Sequence, residues 1–299
     1  MTEKKRVIAL GFFDGVHLGH AALMNKAVEV GSDSDFTPSV LTFDTHPVSL
    51  VFGQSVPLIN SNEDRAGIIE RKFGIRDIII LKFDQKTASL KWTEFIRLLF
   101  SKYNACHLVA GQDFRFGSGG GGDSEKLRAE CKRLGLGCDI IPEVSLDGVA
   151  VRSTAIRVQL LKGELEKANR FLGHPHVLTG FVRRGQQLGS KLGYPTANIC
   201  FEKDVLSPSF GVYASKVILE DNREFFGVTN VGVRPTVDDT GTIYAETHIF
   251  DFDEDLYDKQ VRIEFHSFVR METKFSDVSK LKAQISDDCK AVLKFFKVN

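Results

Sequence analysis

Through the first half of the chain, short apolar runs alternate with longer stretches whose apolar positions recur every three or four residues. The short runs are "VIALG" (7–11), "SVLTF" (39–43), "DIIILKF" (77–83), "CHLVAG" (106–111) and "CDIIP" (138–142). Continuous, apolar and often β-branched, they read as buried strands. "AALMNKAVEV", "NEDRAGIIERKF", "LKWTEFIRLLFSKY" and "SEKLRAECKRLG" lie between them and read as helices, with Phe95, Leu98 and Leu99 at helical spacing. Strand and helix in strict alternation predict a parallel sheet covered on both faces, a Rossmann-like α/β domain. Ligands of such sheets bind beyond the carboxyl ends of the strands.

Residues 153–172, "STAIRVQLLKGELEKANRFL", predict two short helices broken at Gly163. After "GHP" the texture changes. "HVLTGFVRRG", "GVYASKVILED", "REFFGVTNVG", "TIYAETHIF" and "QVRIEFHSFVR" are strand-like runs separated by Gly, Asp and Asn turns. Strands without intervening helices predict a small antiparallel β-barrel. A last helix is expected from about Ser276, with Val278, Leu281, Ile285 and Val292 on one face. The boundary is placed near Gly173–His176, giving domains 1–174 and 175–299. "GSGGGGD" (117–123) reads as a mobile loop.

Length, charge and cysteines narrow the class. The chain has 299 residues, enough for two domains, and 39 Lys plus Arg balance 39 Asp plus Glu. A net charge of zero argues against a general nucleic-acid binder, which needs a cationic excess. A small phosphorylated ligand needs only a local site. Five cysteines without a C-x-x-C pair suggest neither a disulfide framework nor a zinc cluster, and reduced thiols in a cytoplasm are the simplest account. The apolar part of "MTEKKRVIALGFFDG" is too short for a signal peptide, and no stretch approaches the roughly 20 apolar residues of a membrane span.

The candidate chemistry begins at "GFFDGVHLGH" (11–20), directly after the first strand. It contains neither G-x-G-x-x-G nor G-K-[ST], so it is neither a dinucleotide fingerprint nor a P-loop. His17 and His20 stand three apart at a helix start and share a face. The helix N-terminus adds free N–H groups and partial positive charge, and Gly19 is expected to let a ligand approach between the rings. Gly11, Phe13, Asp14 and Gly15 complete the segment. It suits anionic phosphate oxygens, and hence nucleotidyl transfer, in which a phosphate attacks the α-phosphate of a nucleoside triphosphate.

"GFFDGVHLGH" resembles the signature of the prokaryotic bifunctional riboflavin kinase/FMN adenylyltransferase family, the FAD synthetases. "TFDTHP" (42–47), "KFGIRDIIILKFD" (72–84), "VAGQDFRFGSGGGGD" (109–123) and "RSTAIRVQLLKGELEKANRFLG" (152–173) are similar to further family segments, in order. In the second half, "GSKLGYPTANI" (189–199), "GVTNVGVRPTV" (227–237), "ETHIFDFDEDLY" (246–257) and "FVRMETKF" (268–275) resemble the kinase module. "H-x-G-H" alone marks only the nucleotidyltransferase superfamily; "GYPTAN" with a later "ETHIFDF" is far more specific.

The resemblance implies FMN adenylylation to FAD by the first domain and riboflavin phosphorylation by the second, with ATP and Mg²⁺. His17 and His20 would bind ATP phosphates. Asp113 would lie near the nucleotide, Ser153 and Thr154 would cap a helix, and Arg157 would bridge phosphates. Thr196 and Asn198, after Pro195, would help hold Mg²⁺, and Glu246 would be the general base on the riboflavin 5′-hydroxyl. Gly185, Gly189 and Gly193 would form a loop over the nucleotide, and Arg270 and Glu272 a loop closing on flavin. The implied partners are the small molecules ATP, riboflavin and FMN, with no nucleic acid or membrane, for a cytoplasmic monomer or weak homo-oligomer.

The sequence departs from the family at Arg184 (usually His), Ser190 (usually Arg), "HPH" at 174–176 (usually Arg-Pro-Tyr) and Thr45 (usually Pro). Ser190 leaves open a monofunctional adenylyltransferase with a degenerate, flavin-binding barrel. An adenylyltransferase with another acceptor and a non-enzymatic nucleotide-binding regulator are the other readings. The second domain argues against the former, and retention of His17, His20 and Glu246 against the latter.

Overall fold

Five of the apolar runs become the parallel strands β1 (Arg6–Leu10), β2 (Thr37–Phe43), β3 (Asp77–Leu81), β4 (Ala105–Gly111) and β5 (Gly137–Ile141), as seen in a computed structural model of the chain. The structure describes residues 4–53, 55–185, 189, 192–233 and 241–297. The chain divides into two units, Met1–Leu58 with Arg65–Ser153, and Ile59–Asp64 with Thr154–Asn299.

In the first unit the strand order is β3-β2-β1-β4-β5. The central β1 is buried on both faces, Val7 to Leu10 being at most 1% exposed. Helix α1 (Leu18–Ser34) lies against β1, β2 and β4 and buries Met24 and Ala27. Helices α5 (Trp92–Tyr103) and α6 (Ser124–Leu134) contribute Phe95, Ile96, Leu99, Leu127 and Cys131 to a core with Ile8, Leu10 and Leu108. Leu98 is only partly buried. Asp123 caps α6 by accepting from the Lys126 N–H, and Gly135 ends it in left-handed backbone. Helix α3 (Asn62–Phe73) spans the sequence-derived stretch "NEDRAGIIERKF". The expectation that "DIIILKF" is a fully buried strand fails. β3 is an edge strand, unpaired along one side among the described residues, and Ile80 is 46% exposed. Two short helices, α2 (Pro47–Phe52) and α4 (Gln85–Ala88), were not expected. They are started by capping side chains, His46 and Asp84, rather than by an apolar stripe. A small hairpin, β6 (Ser145–Leu146) and β7 (Val149–Ala150), precedes α7 (Ser153–Leu161).

The second unit holds most of α7 and α8 (Leu165–Leu172), with Gly163 between them as expected. Its sheet contains β8 (His176–Phe181), β9 (Thr196–Cys200), β10 (Gly211–Leu219), β11 (Glu224–Val233), β12 (Ile243–Ile249) and β13 (Gln260–Met271), in the antiparallel order β8-β13-β10-β11-β12-β9. The sheet curls until its ends meet, and the Arg183 N–H donates to the Asn198 carbonyl at 2.8 Å. This is the small barrel that the turn-separated runs predict. The C-terminal helix α9 (Val278–Phe296) packs Val292 against Val212, Ala214 and Val228. Val278, expected on its buried face, is 58% exposed because it sits in the first turn, ahead of the sheet contact. All five cysteines are free thiols. Among the described residues, no helix is long and apolar enough to cross a membrane.

Candidate functional site

In the first unit, β1 has β2 on one side and β4 on the other. That is the topological switch point of the sheet, where a crevice opens beyond the strand ends. The chain leaves β1 through a tight turn in which Phe13 (φ 59°), Gly15 (φ 82°) and Val16 (φ 43°) have left-handed backbone. Holding Phe and Val there is costly and needs support from around the turn. Phe13, Asp14, Val16 and His17 are all buried. Gly11 is required by packing, since a Cβ there would lie 2.8 Å from the Phe13 ring.

His17 is the N-cap of α1, and its Nδ1 accepts from the His20 backbone N–H at 3.3 Å. Its donor hydrogen therefore sits on Nε2 when the ring is neutral. The two imidazoles stack with centroids 3.6 Å apart, and Phe13 meets His20 edge-on at 5.1 Å. The His20 Nδ1 is sealed from water and has no hydrogen-bond partner among the described residues. Burial first, then the charges of His17 and Arg65, hold the His20 pKa well below the ordinary imidazole value. Gly19 does not open a gap between the rings as expected: a Cβ there would lie 3.1 Å from His17 Cε1, so the glycine makes room for the ring. Asp113 is exposed just past the end of β4, across the switch point. Ser153 is not a cap either. It is already helical, and its hydroxyl donates to the Asp14 carbonyl at 2.9 Å, bracing the histidine turn. Exposed Thr154 and half-buried Arg157 follow on α7 in the second unit.

The sequence reading missed two features of this unit. One is Arg65 on α3, 1% exposed, which donates to the carbonyls of Phe12 and Phe43 at 2.7 and 2.8 Å. The other is an apolar cavity of about 410 Å³. Phe43, Phe83, Phe95, Phe114 and Phe116 line it, with Arg115 and glycines 117, 119 and 120 at its side. Phe43 meets Phe83 edge-on at 5.0 Å, and Phe114 stacks on Phe116 at 5.3 Å. Phe12 meets His46 at 4.7 Å, and the next residues, Pro47 and Val48, belong to the cavity wall.

In the second unit the sheet register gathers residues far apart in sequence. Arg270 is opposite Val212, Val212 opposite Asn230, Asn230 opposite Glu246, and Glu246 opposite Asn198. Cross-strand partners share a face, so these five form one row across β13, β10, β11, β12 and β9. A cavity of about 250 Å³ lies over the row, walled by Thr196, Asn230, Glu246, Arg270 and Glu272, with Leu281, Ile285 and Asp288 of α9. Arg270 is held by a bidentate pair with buried Asp288, both contacts 2.8 Å. The Asn198 amide nitrogen donates to the carbonyl and hydroxyl of Thr196 at 3.0 and 3.3 Å. A second cavity, of about 300 Å³, lies between Pro195–Ala197 and the 252–257 segment, and Thr196 lines both. A Cβ on Gly185 would lie 2.8 Å from the Asn198 amide nitrogen, and the Gly189 carbonyl accepts from the Tyr194 N–H at 2.8 Å. Gly193 has φ 88°. Residues 186–188, 190 and 191, and so Ser190, lie outside the described residues, as does 234–240 of the "GVTNVGVRPTV" segment. Arg184 sits over the Tyr257 ring at 4.8 Å.

A switch-point site with stacked imidazoles in one unit and a polar row centred on the Glu246 carboxylate under a helix in the other define a two-unit transferase of phosphorus-containing groups. The FAD synthetase family model matches residues 1–155 and the riboflavin kinase family model residues 172–296. The chain belongs to the bifunctional riboflavin kinase/FMN adenylyltransferase family. It is 33% identical to the bifunctional riboflavin kinase/FMN adenylyltransferase of Bacillus subtilis (strain 168), covering 98% of this chain and 93% of that protein. It is 34% identical to that of Haemophilus influenzae, over 97% of this chain and 94% of the other. Among solved structures, one described as the macrolide-efflux protein from Streptococcus pneumoniae superposes with a TM-score of 0.84 at 28% identity, covering 98% of this chain and 95% of that one.

Proposed function

We propose that the chain phosphorylates riboflavin to FMN with ATP in its second domain (175–299) and adenylylates FMN to FAD, releasing pyrophosphate, in its first (1–174). The observation that carries the two-activity reading is the unbroken row Arg270–Val212–Asn230–Glu246–Asn198. A barrel that only bound flavin would have no need of a carboxylate flanked by two amides. This argues against the monofunctional alternative.

In the adenylyltransferase site, an FMN phosphate oxygen attacks the α-phosphorus of ATP. The bond to the β-phosphate oxygen breaks and pyrophosphate leaves. His17, whose neutral ring carries its hydrogen on Nε2, and largely neutral His20 would hydrogen-bond the phosphate oxygens as charge shifts among them. Asp113 would lie beside the nucleotide. The phenylalanine-lined cavity is of a size and character suited to the isoalloxazine ring.

In the kinase site, riboflavin would take the cavity over the row and ATP the cavity beside residues 252–257, with Thr196 at their common wall. Glu246 accepts the proton of the 5′-hydroxyl as its oxygen attacks the γ-phosphorus, and ADP leaves. Arg270 and Glu272 border the flavin. Thr196 and Asn198, hydrogen-bonded neighbours with hard oxygen donors, suit Mg²⁺ completed by ATP phosphates. Bound there, the ion would neutralise charge on those phosphates. The reading is of a cytoplasmic enzyme, monomeric or weakly self-associating.

The test is product chromatography with ATP and Mg²⁺, offering riboflavin or FMN. Wild-type protein should give FAD from both. His17→Ala or His20→Ala should lower FAD formation at least a hundredfold and leave riboflavin phosphorylation within about twofold. Glu246→Gln should do the reverse. Equal damage to both reactions by each substitution, in folded protein, would end the two-site reading.

A further inference from the structure

We propose that Arg65 is a positioning residue for adenylyl transfer: its guanidinium ties the carboxyl ends of β1 and β2 together and so fixes the turn that presents His17 and His20. This rests on the reading of those histidines as the phosphate site. Arg65 is almost wholly buried, which is rare for a charged residue. Both ends of its planar fork are engaged, Nη1–H on the Phe12 carbonyl at 2.7 Å and Nη2–H on the Phe43 carbonyl at 2.8 Å. The Thr42 hydroxyl donates to the same Phe12 carbonyl at 2.7 Å, and the guanidinium lies 4.6 Å from the centre of the Phe12 ring.

The position of Phe12 makes this bracing specific. Its neighbour Phe13 begins the left-handed turn, and the Phe13 ring supports His20. A turn of that kind keeps its shape only where its surroundings over-determine it. Phe12 is fixed by two side chains, Thr42 on its carbonyl and Arg65 on both its carbonyl and its ring, and the Asp14 carbonyl by Ser153. Phe43 begins the segment that leads through His46 to the aromatic cavity. The same side chain therefore ties the histidine turn to the segment that leads to the proposed flavin wall. Lysine could not do this, because one ammonium cannot present two parallel N–H groups to carbonyls on neighbouring strands. The cation also acts on His20, together with His17, while Asp14 and Asp44 act on Arg65 itself.

The experiment compares wild type, Arg65→Lys, Arg65→Met, Thr42→Val and His17→Ala in the full chain. FAD formation from FMN is measured across pH, riboflavin phosphorylation in the same preparations, and unfolding by the fluorescence of Trp92, the only tryptophan, which lies in the first unit. Arg65→Lys should lower kcat for FAD formation at least about thirtyfold, with KM for FMN within about threefold and both the kinase rate and the Trp92 transition retained. Arg65→Met should in addition move the acid limb of kcat to higher pH, as His20 loses a cationic neighbour; a bracing role in folding alone would not move it. Thr42→Val, a milder change at the same carbonyl, should lower kcat about three- to tenfold and keeps the test open if Arg65→Lys does not fold. Wild-type kcat in Arg65→Lys, or losses that only track the Trp92 transition with an unmoved pH limb, would overturn the proposal. Should His17→Ala form FAD at the wild-type rate, the phosphate-site reading falls; should it be inactive while Arg65→Lys is not, only the role of Arg65 falls.

Discussion

Acid should weaken the barrel through one side chain. His176, in "HPH" where the family usually has Arg-Pro-Tyr, opens β8 and is fully buried. Neither ring nitrogen has a hydrogen-bond partner among the described residues, and the ring tilts against Phe265 at 5.7 Å. Burial first, then the nearby His174, pulls its pKa from 6.5 to about 3. Above pH 6.5 the ring is neutral in folded and unfolded chains and contributes no pH dependence. Below 6.5 the unfolded chain takes up a proton that the folded chain refuses, so stability falls with pH until the folded pKa is reached. At one unit of pKa per 1.36 kcal/mol, the loss is about 2 kcal/mol at pH 5 and approaches about 5 kcal/mol near pH 3. Hydrogen exchange of the β8 amides reads this unit directly, which tryptophan fluorescence does not, since Trp92 lies in the other unit. Between about pH 7.5 and 5, His176→Phe should lose about 2 kcal/mol less β8 protection than wild type. The comparison is a difference of slopes, so any fixed packing cost of the phenylalanine cancels. An equal loss in both proteins, or a His176 ring signal titrating near 6.5, would refute the reasoning.

Two further substitutions probe the cavities. Asp288→Asn removes the charge that holds Arg270 beside the cavity over the Glu246 row and, with riboflavin bound there as proposed, should raise KM for riboflavin about tenfold, leaving FAD formation from supplied FMN unchanged in steady-state assays. Phe83→Ala, at a half-buried wall of the aromatic cavity, should raise KM for FMN in the adenylyltransferase assay about five- to tenfold, with riboflavin phosphorylation unaffected.

The parallel sheet was legible because its strands are short and apolar, with β1, β2 and β4 buried at the centre, and because α3 and α6 carry end signals in their own sequences. β9 was hidden inside "GYPTAN", whose Thr and Asn read as chemistry rather than as strand, although they are both. Helices α2 and α4 are too short for periodicity to register. His17 and His20 could be found from spacing because both lie on one helix start. Arg65 could not: in "NEDRAGIIERKF" it is one charge among several, and only the fold carries it under the Phe12 carbonyl. Glu246 was singled out by its motif, but its alignment with Asn198, Asn230 and Arg270 depends on register, which a single sequence does not specify. Gly19 and Ser153 were assigned to ligand and cap because neither the His17 ring nor the Asp14 carbonyl can be placed beside them from sequence.

The row beneath Glu246 ends at β9, a five-residue strand paired with β12 along one side and joined on the other, among the described residues, by the single bridge to Arg183. Such a strand detaches at a lower free energy than the interior of the sheet. Each detachment takes Asn198 and Thr196 from Glu246 while β10, β11 and β13 stay paired. If Thr196, Asn198 and Glu246 act together as proposed, kinase turnover samples the opening equilibrium of one short strand, and warming should silence it while most of the barrel is still folded.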